Sequence, residues 1–285
     1  MVKYLKLLSL FSFLFLFGTS LQAQTVMTGT AKTEGFQVAD PGFENWTQQF
    51  DGKPALGGGS TGANTGKGLW YGANVFKDVG VKVYGHVVHK EAGRLGGSAA
   101  KLVDTEVGAL GITETSPSWV TLGTPWSYVK GIDTGSATAG TDGGVKFAAR
   151  PDTMSVWIKR DASKGQENIN LVYYSWKGTA KGNHYKNKSG GCQSTGEHIN
   201  EESDIRVQTD ANICGSYGNA TQIGEGHFQT SNQYKQWTQI KVPITYYNDE
   251  VPEMMNIILS ASMYPEGRKT TGLYNGNYLI VDDLN

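Results

Sequence analysis

The chain has 285 residues, 25 Lys and Arg against 26 Asp and Glu, a formal net charge of −1 and no basic run, which argues against nucleic acid or an anionic membrane surface as a partner. Charged residues are 18% of the chain, aromatics 11%, and there are 38 Gly, a composition suited to many short strands joined by Gly-rich turns. That length accommodates one large all-β domain or two small ones and is sufficient to bury a sizeable core.

Lys3 and Lys6 precede an apolar run over residues 7–17, and Gly18-Thr19-Ser20-Leu21-Gln22-Ala23 supplies small residues for cleavage. This reads as a secretory signal over residues 1–23, cut after Ala23. The run is too short to span a bilayer, and no second hydrophobic stretch of ~20 residues follows. The expectation is an exported protein of the periplasm, the cell surface or the medium, with no transmembrane segment. Residues 24–39 read as an irregular lead-in, and residues 40–285 as a single β-sandwich domain.

A Pro-Gly turn then delivers Phe43, Glu44 and Trp46. Residues 49–68 form a Gly-rich surface loop. Its Gly58-x-Ser60-x-Gly62 lacks the strand and helix of a nucleophile elbow. Gly66-Lys67 is followed by Gly68 where a phosphate loop needs Ser or Thr. The first strand pattern covers residues 79–89. His86 and His89, three apart on an extended strand, point to opposite sides and do not chelate together.

Residues 96–103 lead from a Gly pair into a second strand. A loop-rich stretch then carries Trp119, Trp126 and Tyr128. From residue 145 the alternation is regular. Met154, Val156 and Ile158 oppose Ser155, Trp157 and Lys159, and Ile169, Leu171 and Tyr173 oppose Asn170, Val172, Tyr174 and Trp176. If these two strands were adjacent, Trp157, Tyr174 and Trp176 would share an accessible face.

Residues 177–204 break the rhythm with polar residues and the acids Glu197, Glu201, Glu202 and Asp204. Cys192 and Cys214, the two cysteines of the chain, are expected to form a disulfide in an exported protein; the alternative, a metal site with His184 or His198, is disfavoured because the two are too far apart to resemble a paired zinc motif. Further strands are expected over residues 205–207, 238–244, 256–263 and 278–283. No segment after the signal has a helical period.

Five stretches occur in an order that resembles the carbohydrate metabolism domain of exported Bacteroidetes proteins. They are Asp40-Pro41-Gly42-Phe43-Glu44-Asn45-Trp46, then Gly96-Gly97-Ser98-Ala99-Ala100-Lys101-Leu102, then Arg150-Pro151-Asp152-Thr153-Met154-Ser155-Val156-Trp157-Ile158-Lys159, then Trp237-Thr238-Gln239-Ile240-Lys241-Val242-Pro243-Ile244-Thr245-Tyr246, and finally Val281-Asp282-Asp283-Leu284. The resemblance covers nearly the whole mature chain. It implies a jelly-roll, galactose-binding-like β-sandwich of two antiparallel sheets. More loosely, the opening acid and closing Asp are similar to those of jelly-roll carbohydrate-binding modules. There they hold a structural calcium, which would fall here on Glu44 and Asp282, with Asp283 as substitute.

Sugars present apolar C–H faces and hydroxyl rims, so their sites combine flat aromatics with hydrogen-bonding side chains. Trp70, Tyr71, Trp119, Trp126, Trp157 and Trp176 supply the rings, while Trp46 and Trp237, beside apolar runs, read as core. The function expected is non-catalytic recognition of an oligosaccharide or polysaccharide. One alternative is a glycoside hydrolase, which needs two carboxyls ~5–10 Å apart, although Glu91, Asp104, Glu106, Glu114 and Glu202 have no distinguishing context. The other is a structural or adhesive protein with cell-surface protein partners.

Overall fold

A strand sends successive side chains to opposite sides, so the alternation over residues 153–159 and 169–176 calls for two sheets that share an apolar layer. The computed structural model has that arrangement. It describes residues 38–48, 54–56, 70–78, 82–109, 111–128, 138–142, 144–178, 184–186, 192–194, 213–214, 221–262 and 273–285. The export signal, nearly all of the lead-in, most of the Gly-rich loop, the acids from Glu197 to Asp204 and the strand expected over 205–207 lie outside the described residues.

In chain order the strands of the two main sheets are β1 (Tyr71–Gly72), β2 (Val88–Ala92), β3 (Ser98–Val103), β4 (Trp119–Thr121), β5 (Val145–Lys146) and β6 (Thr153–Asp161). They continue with β7 (Ile169–Lys177), β8 (Thr221–Thr230), β9 (Tyr234–Pro243), β10 (Thr245–Tyr246), β11 (Met254–Ser260) and β12 (Tyr278–Asp282). One sheet has seven strands in the order β10-β8-β7-β11-β4-β1, with β5 pairing β11 beside that path. The other has five, in the order β9-β6-β12-β3-β2. Every pairing is antiparallel. There is no helix among the described residues, and so none long and apolar enough to cross a membrane.

The sheets pack face to face as a β-sandwich. Met154, Val156 and Ile158 of β6, Ile240 and Val242 of β9, Leu279 and Val281 of β12 and Leu102 of β3 meet Ile169, Leu171 and Tyr173 of β7, Ile257 and Leu259 of β11 and Val120 of β4. Each large apolar side chain fully buried there contributes about 1.5–3 kcal/mol relative to exposure.

Two expectations are corrected. The strand read over residues 79–89 is not one strand among the described residues: Lys82–Gly85 pairs with the preceding Val75–Asp78 as a hairpin, and β2 begins separately at Val88. The strands carrying Trp157 and Trp176 are not adjacent: β6 belongs to the five-stranded sheet and β7 to the seven-stranded one. The segment between them crosses the sandwich, so their outward residues face opposite sides of the molecule.

Candidate functional site

The chain ends of the sandwich meet as the two terminal motifs suggested. Asp40, at φ 54°, turns the chain back on itself, and its carboxylate accepts hydrogen bonds from the backbone N–H of Glu44 at 2.7 Å and of Asn45 at 3.2 Å. Phe43, also at positive φ, enters the core against Trp70, with ring centroids 4.9 Å apart. The Leu284 N–H donates to the Pro41 carbonyl at 2.9 Å, tying the end of the domain to its start.

Around this knot, Glu44 accepts the Ser98 N–H at 2.9 and 3.0 Å through its two oxygens. Gly97, at φ 71°, admits that carboxylate, which a side chain there would strike. Asp282 accepts the Arg94 N–H at 2.6 Å and the Asp283 N–H at 2.8 Å. A Cβ on Gly42 would stand 3.6 Å from a Glu44 oxygen and 3.7 Å from an Asp282 oxygen, so both carboxylates converge on the same small hollow. Burial holds the Asp282 carboxyl above its ordinary range against those two N–H donors, and the charges of Asp283 and Glu44 add to the rise.

An oxygen-lined, electronegative hollow suits a hard cation such as calcium, and Glu44 and Asp282 fit it. Asp283 does not. Its carboxylate is taken by Arg94, through Nε at 2.9 Å and Nη2 at 2.6 Å. Since no cluster of three or more Asp, Glu, His or Cys ligands forms among the described residues, backbone carbonyls would have to complete the coordination.

The six aromatics singled out for ligand contact separate into different environments. Trp70 is fully buried, with its indole N–H donating to the Asp40 carbonyl at 3.0 Å. Trp176 is also buried, stacked on Tyr174 with centroids 5.6 Å apart. Neither offers a ring face to a sugar, because the packing that holds each indole covers it. Trp119 is half-buried against the main core, as is Trp46. Tyr71 is half-buried and lies directly across from Thr121. The backbone of Trp126 lies in the strand Thr124–Tyr128, and its side chain lies outside the described residues. Cys192 and Cys214 lie on strands that flank the strand His184–Lys186 on opposite sides. Their side chains are likewise not described, and that placement does not show the bridge.

Trp157 remains, and the structure brings it together with two rings the sequence reading did not select. The outward side of the five-stranded sheet carries Trp157 and Lys159 on β6, Lys235, Trp237, Gln239 and Lys241 on β9, Tyr278 on β12 and Lys101 on β3. Trp157, Trp237 and Tyr278 are each half-buried. A cation lies over every one of these rings: Arg94 is 4.2 Å from the Trp157 centroid, Lys159 5.0 Å from that of Trp237 and Lys101 4.6 Å from that of Tyr278. Register aligns the layer, since Gln239 and Asp282 both lie across from Trp157, and Lys159 and Lys101 both lie across from Ile280. Trp237 had read as core from its apolar neighbours. Its step with Lys235, Gln239 and Lys241, opposite Ile240 and Val242, is the signal that places it outside.

The three cations are held differently. Arg94 is fixed by Asp283, so one face of Trp157 is occupied by a pinned guanidinium. Lys101 has only a long contact to Glu91, 3.5 Å, which solvent screens. Trp237 and Tyr278 are therefore the rings from which a flexible ammonium can move aside.

Two further regions lie at the ends of the sandwich. Beyond the far ends of β3 and β12, Asp104 is fully buried beside Glu167, Arg160 and Asn277. Asp104 Oδ1 accepts the Ser118 N–H at 2.9 Å, and the carboxyl also faces the Ser262 hydroxyl and Glu167. Glu167 accepts an N–H of Asn277 at 2.5 Å. The Arg160 guanidinium donates to the Asn232 carbonyl at 2.7 Å and also to the Glu167 carbonyl. Burial, then the negative charge of Glu167, pushes the Asp104 carboxyl up to about 8. Burial raises Glu167 as well. A raised carboxyl beside a second one has the titration of a glycosidase pair, but Asp104 has no exposed surface through which a sugar could reach it.

At the other end, a cavity of about 430 Å³ between the sheets is lined mainly by apolar residues such as Phe147, Met154, Met255, Ile257 and Leu284. The buried Tyr173 hydroxyl, which also lines it, lies beside the hydroxyls of Ser175 and Tyr246. Arg150, at its margin, is held by the carbonyls of Asn248 and Glu250 at 2.7 and 2.6 Å.

No protein-family model matches the chain, and no curated protein does. Two solved structures are similar to it. A protein from Bacteroides thetaiotaomicron described as a putative glycoside hydrolase aligns at 11% identity over 86% of this chain and 69% of that one, with a TM-score of 0.42. A protein from Bacteroides vulgatus with the same description aligns at 14% identity over 74% of this chain and 89% of that one, also at 0.42. Likeness at this level establishes neither family nor activity.

Proposed function

We propose that this chain is an exported carbohydrate-binding protein whose contact surface is the outward side of the five-stranded sheet. The observation that carries the reading is one layer holding three half-buried rings, Trp157, Trp237 and Tyr278, interleaved with Gln239 and four lysines. Flat rings meet the C–H faces of sugars, and amide and ammonium groups meet their hydroxyls. An extended sheet face favours an extended chain of sugars over a single one. The enclosure of Asp104 keeps that raised carboxyl out of reach of a polysaccharide.

In the same reading, calcium is held at the opposite end of β3 and β12 from Asp104, by Glu44 and Asp282. Its role is to restrain the joined chain ends. Export through the segment 1–23 would deliver the protein to the periplasm, the cell surface or the medium.

Affinity electrophoresis of the purified protein through gels containing soluble polysaccharides tests the assignment. Retardation by at least one polymer that is lost in Trp237→Ala and Tyr278→Ala supports it. Unchanged mobility across a panel of plant, algal and animal polysaccharides, or retardation that neither substitution alters, overturns it.

A further inference from the structure

We propose that the glycan recognised on this face is acidic, a polysaccharide carrying carboxylate or sulfate groups beside sugar rings that stack on Trp237 and Tyr278. This rests on the carbohydrate-binding reading above and adds a ligand class to it. The outward residues of the layer include Lys101, Lys159, Lys235 and Lys241, against Glu91, Asp161 and Asp282, an excess of one positive charge (four minus three) on one side of a chain whose net charge is −1. Arg94 and Asp283 neutralise each other. Along β9 the lysines at 235 and 241 bracket Trp237 and Gln239, and the irregularity opposite Ile158 and Arg160 keeps them closer than the ~20 Å that an unbroken strand rising about 3.3 Å per residue would give. Several sugar units can therefore be engaged at once.

The rings themselves discriminate. Lys159 lies over Trp237 and Lys101 over Tyr278. A neutral sugar that stacks on either ring must displace an ammonium from an attractive position and offers it only hydroxyls in return. An acidic sugar draws the same ammonium to its own anionic group, so the cation changes partner while remaining beside the ring. The lysines thus oppose neutral chains and select charged ones, the repulsive and attractive halves of specificity residing in the same side chains.

The test pairs each acidic polymer with its uncharged counterpart: polygalacturonate with its methyl ester, hyaluronan with its carboxyl-reduced form, and heparin with its desulfated, carboxyl-reduced form. Affinity electrophoresis and calorimetry are run on the wild type, on Trp237→Ala and on Lys101→Gln/Lys159→Gln, with thermal unfolding confirming that each variant is folded. At least one acidic polymer should bind about tenfold more tightly than its counterpart. The double lysine variant should lose at least fivefold of that affinity, and Trp237→Ala should lose it as well. Whether carboxylate or sulfate is the preferred group follows from which pair responds. Neutral polymers bound through Trp237 as tightly as acidic ones would overturn the inference and leave the binding reading standing. Acidic polymers bound equally by wild type and Trp237→Ala would reduce the face to simple ion exchange and overturn it too. No binding to any polymer would sink both.

Discussion

The two sheets present their aromatics in the same alternating pattern and arrive at opposite outcomes. On the outward side of the seven-stranded sheet, Val172, Tyr174 and Trp176 form a second apolar cluster, flanked by Met254 and Ile258. Asn256 fixes it by donating to the Tyr174 hydroxyl at 2.8 Å and accepting the Thr121 hydroxyl at 2.8 Å. On the outward side of the five-stranded sheet, Trp157, Trp237 and Tyr278 stay half-buried, each with a cation over its ring. The strand pattern determines which residues face outward. The neighbours then decide whether an outward ring becomes structure or surface: apolar and amide groups close over one set, and long cationic side chains leave the other reachable.

The largest effect is expected where the face is closed. Trp176→Ala should cost about 3–5 kcal/mol, a fall in melting temperature on the order of 10 °C for a domain of this size. A change of only a degree or two would mean that the cluster is not closed in solution.

The same contrast between closed and open recurs at the two ends of β3 and β12, each of which carries a pair of carboxyls. Asp104 and Glu167 are shut in with Arg160, whereas Glu44 is exposed and shares its hollow with Asp282. Arg160 offsets one negative charge of the closed pair, so the pair holds one proton. Asp104 has a folded-state value of about 8 against an ordinary 3.8. Between those values the native state binds a proton that the unfolded chain has released, so stability falls as pH rises through this window. Asp104→Asn should remove that slope. Relative to wild type the variant should gain on the order of a few kcal/mol between pH 5 and pH 9, read from urea unfolding midpoints. Parallel pH profiles for the two proteins would contradict the shared proton.

At the open pair the response should be to a metal ion. Chelator should lower the melting temperature by several degrees, corresponding to the ~2–3 kcal/mol that a ligand present at about a hundred times its dissociation constant contributes. Glu44→Gln should abolish the difference. Insensitivity of the wild type to chelator and to added calcium would remove the ion from the account.

The smallest effect on stability belongs to the open face. Trp237→Ala should shift unfolding by no more than about 1 kcal/mol while abolishing retention by polysaccharide. A large loss of stability would return Trp237 to the core.

Much of this was legible in the sequence. Alternation over residues 153–159 and 169–176 assigned inward and outward sides correctly, and the two terminal motifs do meet at Glu44 and Asp282. Which outward side is open was not legible, because the contacts that bury Tyr174 and Trp176 come from distant positions: Asn256 bonds the Tyr174 hydroxyl, and Gly144 lies against the Trp176 ring. Trp70 was expected to stack on a sugar, yet its ring is drawn inward by Phe43 and the Asp40 carbonyl, contacts across 27 and 30 positions of chain (70 − 43 and 70 − 40). Trp237 was misjudged for the opposite reason: its apolar neighbours outweighed an alternation that already placed it with three polar residues. Asp104 gave no sign of its environment, since Glu167, Arg160 and Asn277 reach it only through the sandwich.

The indole N–H resonances of the seven tryptophans offer the most direct test of the central claim. In ¹⁵N-labelled protein titrated with a retained polysaccharide, with signals assigned by single Trp→Phe substitutions, those of Trp237 and Trp157 should shift while those of Trp70 and Trp176 stay in place. Movement of the Trp70 or Trp176 signal with that of Trp237 unmoved would contradict the assignment of the ligand to the five-stranded face.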